Sequence, residues 1–266
     1  MREPPLIEIR DATIWRGRTR VFDSLTLKID QGEHVAVLGP NGSGKSTLLM
    51  AITRELYPVA SSDTVFRILG RERWNVWDLR KHIGIVSHDL QARYSPDTTA
   101  LDVVASGFHS SIGTHCDDET ERRRALEIMR ELGIAALHQT PFKRMSTGQQ
   151  RRCLLGRSLV HEPDTLILDE PTAGLDPAAS FDYLSRIRRL AAEGRSLVLV
   201  THHINEIPPE IDRVVLLCDG TVIGDGEKRD MLTSERLSQA FGTSMRVHEL
   251  EDYFVSVPDG RGMRKT

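Results

Sequence analysis

The chain has 266 residues, with 35 Lys and Arg against 38 Asp and Glu and a formal net charge of −3. This length is sufficient for one large α/β domain or two small ones, with a core that needs neither disulfides nor metals, and we expect one domain with an inserted subdomain. The near-balanced charge excludes a general basic surface for nucleic acid or anionic lipid, so any phosphate group must be bound by a local site.

The cysteines and the N-terminal sequence bear on the compartment of the protein. Cys116, Cys153 and Cys218 are scattered, odd in number and without metal-ligand spacing, which favours free thiols in a reducing cytosol. The first ten residues lack the apolar run of a signal peptide, and no run approaches the roughly 20 apolar residues that span a bilayer. We therefore expect a soluble cytoplasmic protein without direct membrane insertion, which works on membranes only through a partner.

The first elements in chain order are β-strands. Residues 6–15 alternate apolar and polar side chains and predict a half-buried strand, and residues 25–29 predict another. Residues 34–39, HVAVLG, form a continuous apolar run that ends in a glycine-rich turn and precedes a helical pattern. Such a run is typical of a central parallel strand that leads into a helix.

A phosphate-binding pattern follows this strand. The sequence GPNGSGKST, residues 39–47, matches G-x-x-x-x-G-K-[ST]. Its three glycines allow successive backbone N–H groups to surround an anion at the helix N-terminus. Lys45 supplies a charge for the β- and γ-phosphates, and the Ser46 hydroxyl is a ligand for Mg²⁺. A glycine-rich turn without a ligand is the alternative, but the strand, the helix and the fixed residues in register favour a nucleoside triphosphate site.

The middle of the chain is predicted to be helical. Polar-rich helical patterns occupy residues 101–109, 119–132 and 148–160. Together they indicate a helical subdomain of about residues 92–160, inserted into a single domain of residues 6–245. Within the preceding segment, WNVWDLR, Asp78 is expected to cap a short helix.

The last third of the chain returns to strands. The apolar runs 165–170 and 196–203 predict two more buried strands, and 212–226 has the Asp-Gly centre and flanking alternation of a β-hairpin. The pattern fades after residue 245, so residues 246–266 are predicted to be a C-terminal tail that ends in a loose segment.

Titratable side chains come at the ends of these two strands. Asp169 is expected to reach the Mg²⁺ coordination sphere, and Glu170 can act as the base for an attacking water. The alternative is that both carboxylates are merely solvated at the end of the strand. A position beside the phosphate-loop strand disfavours this alternative. His202 ends the next strand, where a side chain would meet the γ-phosphate, although a lone histidine is more often structural.

The sequence MSTGQQRR, residues 145–152, distinguishes among phosphate-loop proteins. A Ser-x-Gly-Gln turn that opens a helix exposes amides for a second phosphate, which a kinase or small GTPase does not need. With this stretch the chain resembles the ATP-binding cassette (ABC) ATPases over residues 6–245. Their signature usually reads Leu-Ser-Gly-Gly-Gln, so Thr147 is a departure that leaves Ser146, Gly148 and Gln149 in place.

The resemblance implies a fold, a ligand and a set of site residues. The fold is an α/β phosphate-loop NTPase core with a parallel sheet, an N-terminal antiparallel β subdomain and an inserted helical signature subdomain. The resemblance implies catalytic roles for Lys45, Glu170 and His202. It also implies that Ser46 and Asp169 bind the metal and that Asp176 makes a contact at the dimer seam. The implied ATP-binding residues are Trp15, Gly39, Asn41, Gly42, Gly44, Lys45, Ser46, Thr47, Ser146, Gly148 and Gln149. Trp15 would stack on adenine; a core tryptophan is the alternative.

One family contact is displaced in this sequence. ABC ATPases normally end the strand at residues 83–86 with a Gln that touches Mg²⁺ and the attacking water. Here His88 stands at that place, and Gln91 comes three residues later. Either Gln91 reaches the metal through a bulged loop, or His88 takes the role, or water replaces the contact; a loop without a part in catalysis is also open.

The resemblance leaves two functions open. Residues 77–94, 100–113 and 201–220 are similar to molybdenum-transport or photorepair-type cassette proteins and, more distantly, to metal and siderophore importer ATPases. In the first function, a homodimer with ATP and Mg²⁺ energises solute transport, docked peripherally on membrane permease subunits at the inner membrane face. In the second, a free-standing soluble ATPase acts on a protein or nucleic-acid complex. One cassette with an intact helical subdomain favours the first.

Overall fold

The computed structural model describes residues 3–87, 89–112 and 116–260. The chain divides into two compact units, residues 1–74 with 197–266 and residues 75–196. The predicted helical subdomain, 92–160, lies inside the second unit, which also contains strands. None of the helices in the described ranges combines the length and the apolar character of a membrane span.

The elements follow the predicted order. The strands are β1 (Ile7–Arg16), β2 (Thr19–Ile29), β3 (Val35–Leu38), β4 (Val65–Ile68), β5 (Ile83–Val86), β6 (Thr165–Asp169), β7 (Ser196–Thr201), β8 (Arg213–Cys218), β9 (Thr221–Glu227), β10 (Met245–Leu250) and β11 (Tyr253–Pro258). The helices are α1 (Lys45–Ile52), α2 (Val76–His82), α3 (Asp89–Arg93), α4 (Ala100–Ala105), α5 (Glu119–Glu131), α6 (Thr147–Leu159), α7 (Pro177–Ala192), α8 (Lys228–Met231) and α9 (Ser234–Phe241). Short 3₁₀ turns occupy Ala135–Leu137, Phe142–Arg144 and Ile204–Glu206.

The first unit contains a parallel sheet and an N-terminal antiparallel sheet. Strands β7, β3 and β8 are parallel neighbours, with β3 in the middle, and all four residues of β3 are buried. The antiparallel sheet has the order β2-β1-β4 and buries one face of β1. The continuous apolar run and the alternating run therefore behave as predicted, since a central parallel strand is covered on both faces.

A β-hairpin extends the parallel sheet. Strand β9 pairs antiparallel with β8 through the turn at Asp219 and Gly220, whose φ angles of 46° and 72° are those of a two-residue hairpin turn. The Asp-Gly prediction is confirmed.

The second unit contains the parallel pair β5 and β6 and a cluster of helices around α6. Helix α6 packs on α4, α5, α7 and β5. Gly156 allows the close packing, because a Cβ there would meet Leu132, Ile128 and Val104 at 3.1 to 3.4 Å. Helix α4 ends at Ala105, four residues before the predicted end.

The segment after residue 245 contains a hairpin that the sequence pattern does not indicate. Strands β10 and β11 pair from Met245–Pro258 to Leu250–Tyr253. Helix α9 holds this hairpin, since Ser234 Oγ accepts from the N–H of Val247 at 2.9 Å. The expected tail is therefore structured as far as Pro258, and residues 261–266 lie outside the described part of the chain.

Candidate active site

The phosphate loop joins the buried strand β3 to helix α1. Gly44 caps the helix with φ 108°, and Gly42 has φ 83°, both in the left-handed region that favours glycine. Gly39 is required for a different reason, because a Cβ there would lie 2.0 Å from the carbonyl oxygen of Leu217. The pattern therefore has two physical causes, which are backbone conformation at Gly42 and Gly44 and the close approach of Leu217 at Gly39.

Lys45 lies back over the loop instead of extending into solvent. Its Nζ donates to the carbonyl oxygens of Gly39 at 2.7 Å and of Pro40 at 2.9 Å, and the residue is only 6% exposed. This geometry holds a positive charge beside the backbone N–H groups of the loop. An anion bound in the loop would therefore meet both kinds of donor.

The polar residues around Lys45 differ in exposure. Asn41 and Ser46 are exposed, whereas Thr47 is buried in the first turn of α1. The Ser46 hydroxyl is thus open to a ligand. Thr47, by contrast, lies on the packed face of the helix.

Two contacts behind the loop are absent from the sequence prediction. A Cβ at Gly44 would come within 2.8 Å of the Phe22 ring, and Gly220 of the β8–β9 turn donates its N–H to the carbonyl of Ser43 at 3.0 Å. Both depend on which strands pair, so no local pattern reveals them. They fix the loop from β2 and from the hairpin turn.

Trp15 lies on the antiparallel sheet with 45% of its surface exposed. This exposure removes the core-packing alternative. The preceding residue, Ile14, pairs with Phe22, the residue whose ring contacts Gly44. Trp15 therefore directly follows a buried residue of the strand pair that supports the phosphate loop, and its own side chain is exposed.

His202 follows the end of β7, next to the start of the phosphate loop. The Gly39 N–H donates to the carbonyl of Thr201 at 3.4 Å. The rings of His202 and His203 lie 3.8 Å apart between centroids. The buried Thr201 hydroxyl donates to Glu206 and accepts from the N–H of His203 at 3.0 Å, so the backbone that carries His202 is fixed on both sides.

In the second unit, the acid pair lies at the end of β6. Asp169 and Glu170 are half-buried, as expected where an internal strand emerges. Glu170 has φ 45°, a left-handed conformation that is unfavourable for a non-glycine residue. Its carbonyl accepts from the N–H of Ala173 at 3.1 Å, which closes a turn directly after the strand.

The signature residues begin helix α6. The Ser146 side chain accepts from the N–H of Gln149 at 3.3 Å, and the Gln149 side chain accepts from the N–H of Ser146 at 2.9 Å, which is a capping box. Asp176 caps α7 by accepting from the N–H of Ala179 at 2.8 Å. A Cβ at Gly148 would lie 3.3 Å from Ala179, so the starts of α6 and α7 are in close contact.

The structure describes only one of the two candidates for the displaced glutamine contact. His88 lies outside the described residues. The Gln91 side chain donates to the side-chain oxygen of Gln150 on α6, and Lys143 Nζ donates to the Gln91 carbonyl at 2.8 Å. Gln91 thus contacts the signature helix.

The structure groups the predicted residues within each unit. The first unit holds the phosphate loop, the support of Trp15 and the strand end before His202 together. The second unit holds the acid pair, the Asp176 turn and the signature together. Arg151, which the sequence prediction omits, contacts the turn after the acid pair through the carbonyl of Ala173 at 3.0 Å.

Comparison with known proteins identifies the family of this arrangement. The family model for ABC transporters matches residues 22–173. The uncharacterized ABC transporter ATP-binding protein YlmA of Bacillus subtilis (strain 168) is 32% identical over 248 residues, which cover 91% of this chain and 93% of that protein.

Solved structures show the same fold. A chain of a proposed metal-chelate type ABC transporter in an inward-facing conformation aligns with a TM-score of 0.77 and 25% identity, covering 96% of this chain and 98% of that one. The dimeric bacterial ABC transporter cassette MJ0796 aligns with a TM-score of 0.68 and 26% identity, covering 83% and 98%.

Proposed function

The chain belongs to the family of ABC transporter ATP-binding proteins, and from this premise we propose that it hydrolyses ATP as a Mg²⁺-dependent, head-to-tail homodimer docked on membrane permease subunits. ATP hydrolysis coupled to transport is the activity of the family. The observation that carries the proposal is the phosphate loop, with the Lys45 ammonium held 2.7 Å from the carbonyl oxygen of Gly39.

The first unit supplies ATP binding in this proposal. The loop amides and Lys45 bind the phosphate chain, and the exposed Trp15 indole stacks on the adenine. His202 donates a hydrogen bond to the terminal phosphate. Fixed donors at the developing negative charge favour the transition state, since they need no reorganisation during the reaction.

Oxygen donors suited to Mg²⁺ are present in both units. The Ser46 hydroxyl is exposed and Asp169 offers a half-buried carboxylate, and Mg²⁺ prefers oxygen ligands with the remainder from phosphate and water. These two residues would hold the ion. When bound, Mg²⁺ neutralises part of the phosphate charge. The Glu170 carboxylate accepts the proton of the attacking water.

We infer a dimer because each chain carries only one copy of each half of the ATP site. One chain has one phosphate loop and one signature helix, and a symmetric pair of identical chains places the Ser146 and Gly148 amides of one copy against the ATP of the other. The similar cassette that forms a dimer supports this arrangement. Closure on ATP and release after hydrolysis would give the docked permease its movement.

The substitutions Glu170→Gln and Lys45→Ala test ATP hydrolysis and ATP binding separately. We expect Glu170→Gln to retain ATP binding while turnover falls by about 10²- to 10⁴-fold, because only the base is lost. Lys45→Ala should weaken ATP binding itself. Equilibrium binding of a fluorescent ATP analogue and steady-state phosphate release measure both, with EDTA as the metal-removal control. Normal turnover in Glu170→Gln, or turnover insensitive to EDTA, would contradict the proposal.

The docked partner requires a separate experiment. Purification of the tagged chain from detergent-solubilised membranes of its own cells should recover a polytopic membrane protein in a fixed ratio. Recovery of the chain with only soluble partners would favour the free-standing ATPase instead.

A further inference from the structure

Arg151 is a buried arginine in the second turn of the signature helix. Its side chain is 0% exposed and is among the largest fully buried side chains in the described chain. A guanidinium keeps its proton in proteins, so its burial is costly unless acceptors surround it. One acceptor is the backbone carbonyl of Ala173, which Nη2 reaches at 3.0 Å.

Ala173 connects this arginine to Glu170. The N–H of Ala173 donates to the carbonyl of Glu170 at 3.1 Å, and its own carbonyl accepts from Arg151. Glu170 has φ 45°, and such a conformation persists at a non-glycine residue only where surrounding contacts hold it. The turn from Glu170 to Ala173 is therefore fixed at one end by the strand and at the other by Arg151.

Tyr183 of helix α7 lies within electrostatic range of the same guanidinium. Tyr183 is 1% exposed, and burial raises its pKa above the usual range while the neighbouring Arg151 charge partly opposes this rise. Helix α6 thus holds the Arg151 charge against both α7 and the turn after Glu170. The same helix begins with the capping box of Ser146 and Gln149.

We propose that Arg151 is a positioning residue that fixes the backbone of Glu170 from the signature helix. The inference rests on the proposed role of Glu170 as the base. A displacement of the signature end of α6, as when it meets the ATP of a second copy, would pass through Arg151 and Ala173 to Glu170. Arg151 therefore acts on the rate of hydrolysis and not on ATP binding.

Three substitutions at Arg151 separate charge, donor and packing. Arg151→Met keeps an unbranched apolar chain but removes the charge and the donors. Arg151→Lys keeps the charge and one donor group. Arg151→Gln keeps an amide donor on a chain too short to reach Ala173, and it replaces Arg151→Met if that variant does not fold.

The same helix offers a matched control. Arg157 is also buried, at 8% exposed, and it also donates to a backbone carbonyl, that of Ser111 at 3.3 Å. It also contacts the Ser106 hydroxyl at 3.2 Å, so both of these contacts are to residues 106–111 and not to the turn after Glu170. Arg157→Met therefore reports the cost of losing a buried arginine from α6 by itself.

We expect Arg151→Met to lower kcat by about 10- to 100-fold with ATP affinity within about twofold, as for a small misplacement of a reacting group. Arg151→Lys should recover part of this loss. Arg157→Met should lower the urea midpoint but leave the turnover of the folded protein close to that of the parent. Equal losses of kcat in Arg151→Met and Arg157→Met would overturn the proposal.

The decisive measurement is a double-mutant cycle with Glu170→Gln, followed by single-turnover hydrolysis of labelled ATP. If Arg151 acts through the Glu170 carboxylate, Arg151→Met causes no further loss in the Glu170→Gln protein. The same fold-loss in both backgrounds would overturn the inference while leaving the role of Glu170 intact. Normal turnover of Glu170→Gln alone would instead refute the proposed function.

Discussion

At the scale of single residues, Gly44 shows how one missing side chain shapes the phosphate loop. Gly44→Ala would place a Cβ 2.8 Å from the Phe22 ring in addition to forcing alanine into a left-handed conformation. The conformational cost is about 1 kcal/mol, and overpacking adds about 1 to 3 kcal/mol. We expect a lower free energy of unfolding in urea and weaker ATP binding.

Gly42→Ala is the matched control for this prediction. Gly42 also has a left-handed φ, of 83°, but nothing lies within 4 Å of a Cβ at this position. Gly42→Ala should lower the free energy of unfolding only by the conformational cost, about 1 kcal/mol. Equal destabilisation by the two substitutions would mean that the Phe22 contact does not constrain the loop.

The displaced contact after β5 gives a second residue-scale prediction. The Gln91 side chain contacts Gln150, so Gln91→Ala should lower turnover less than His88→Ala does. If His88 hydrogen-bonds the attacking water through a neutral imidazole, protonation of that imidazole would add a positive charge there. His88→Gln should therefore retain turnover and remove a loss of activity on the acid side. Near-native turnover in both alanine variants from about pH 6 to 8 would assign the loop to the docked partner.

At the scale of elements, helix caps link stability to the site. Asp176 caps α7 and Asp118 caps α5, each through its carboxylate and the first-turn amides. Replacement of either by Ala should cost about 1 kcal/mol of unfolding free energy. Only Asp176→Ala should also lower ATP turnover, because α7 begins beside Gly148 of the signature. A similar loss of turnover in Asp118→Ala would attribute the effect to stability alone.

Elements with strong local signals could be predicted from the sequence. The continuous apolar run HVAVLG specifies a buried strand, and the Asp-Gly pair at Asp219 specifies a hairpin turn through its backbone conformation. Both signals come from residues that are adjacent in the sequence. The short helix α2 is capped by Asn75 and not by the expected Asp78, since either residue type can cap and only the backbone decides.

Contacts between distant segments could not be predicted. The hairpin of β10 and β11 is held by α9, and its strands expose most of their residues, so they lack a clear apolar alternation. The contact of Arg151 with Ala173 joins positions 22 residues apart. Single-sequence periodicity carries no information on such pairs, whereas a local motif such as the phosphate loop can be recognised from neighbouring residues alone.

At the scale of the whole molecule, the proposed homodimer makes ATP turnover depend on a second copy. We expect Glu170→Gln with ATP to sediment as a dimer and without ATP as a monomer, because slow hydrolysis preserves the closed state. Ser146→Arg in the same background should bind ATP but stay monomeric, since a bulky cation at the signature blocks the approach of the other copy. Ser146→Arg also removes the cap of α6, at about 1 kcal/mol.

Thr233→Arg controls for both side effects of this substitution. Thr233 caps α9 by accepting from the N–H of Arg236 at 3.3 Å, so its replacement removes a cap and adds an arginine away from the signature. In the Glu170→Gln background it should lose similar stability and still form the ATP-dependent dimer. If both arginine variants dimerise with ATP, or if the Glu170→Gln parent remains monomeric at all protein concentrations, the signature does not face a second copy and the head-to-tail arrangement is wrong.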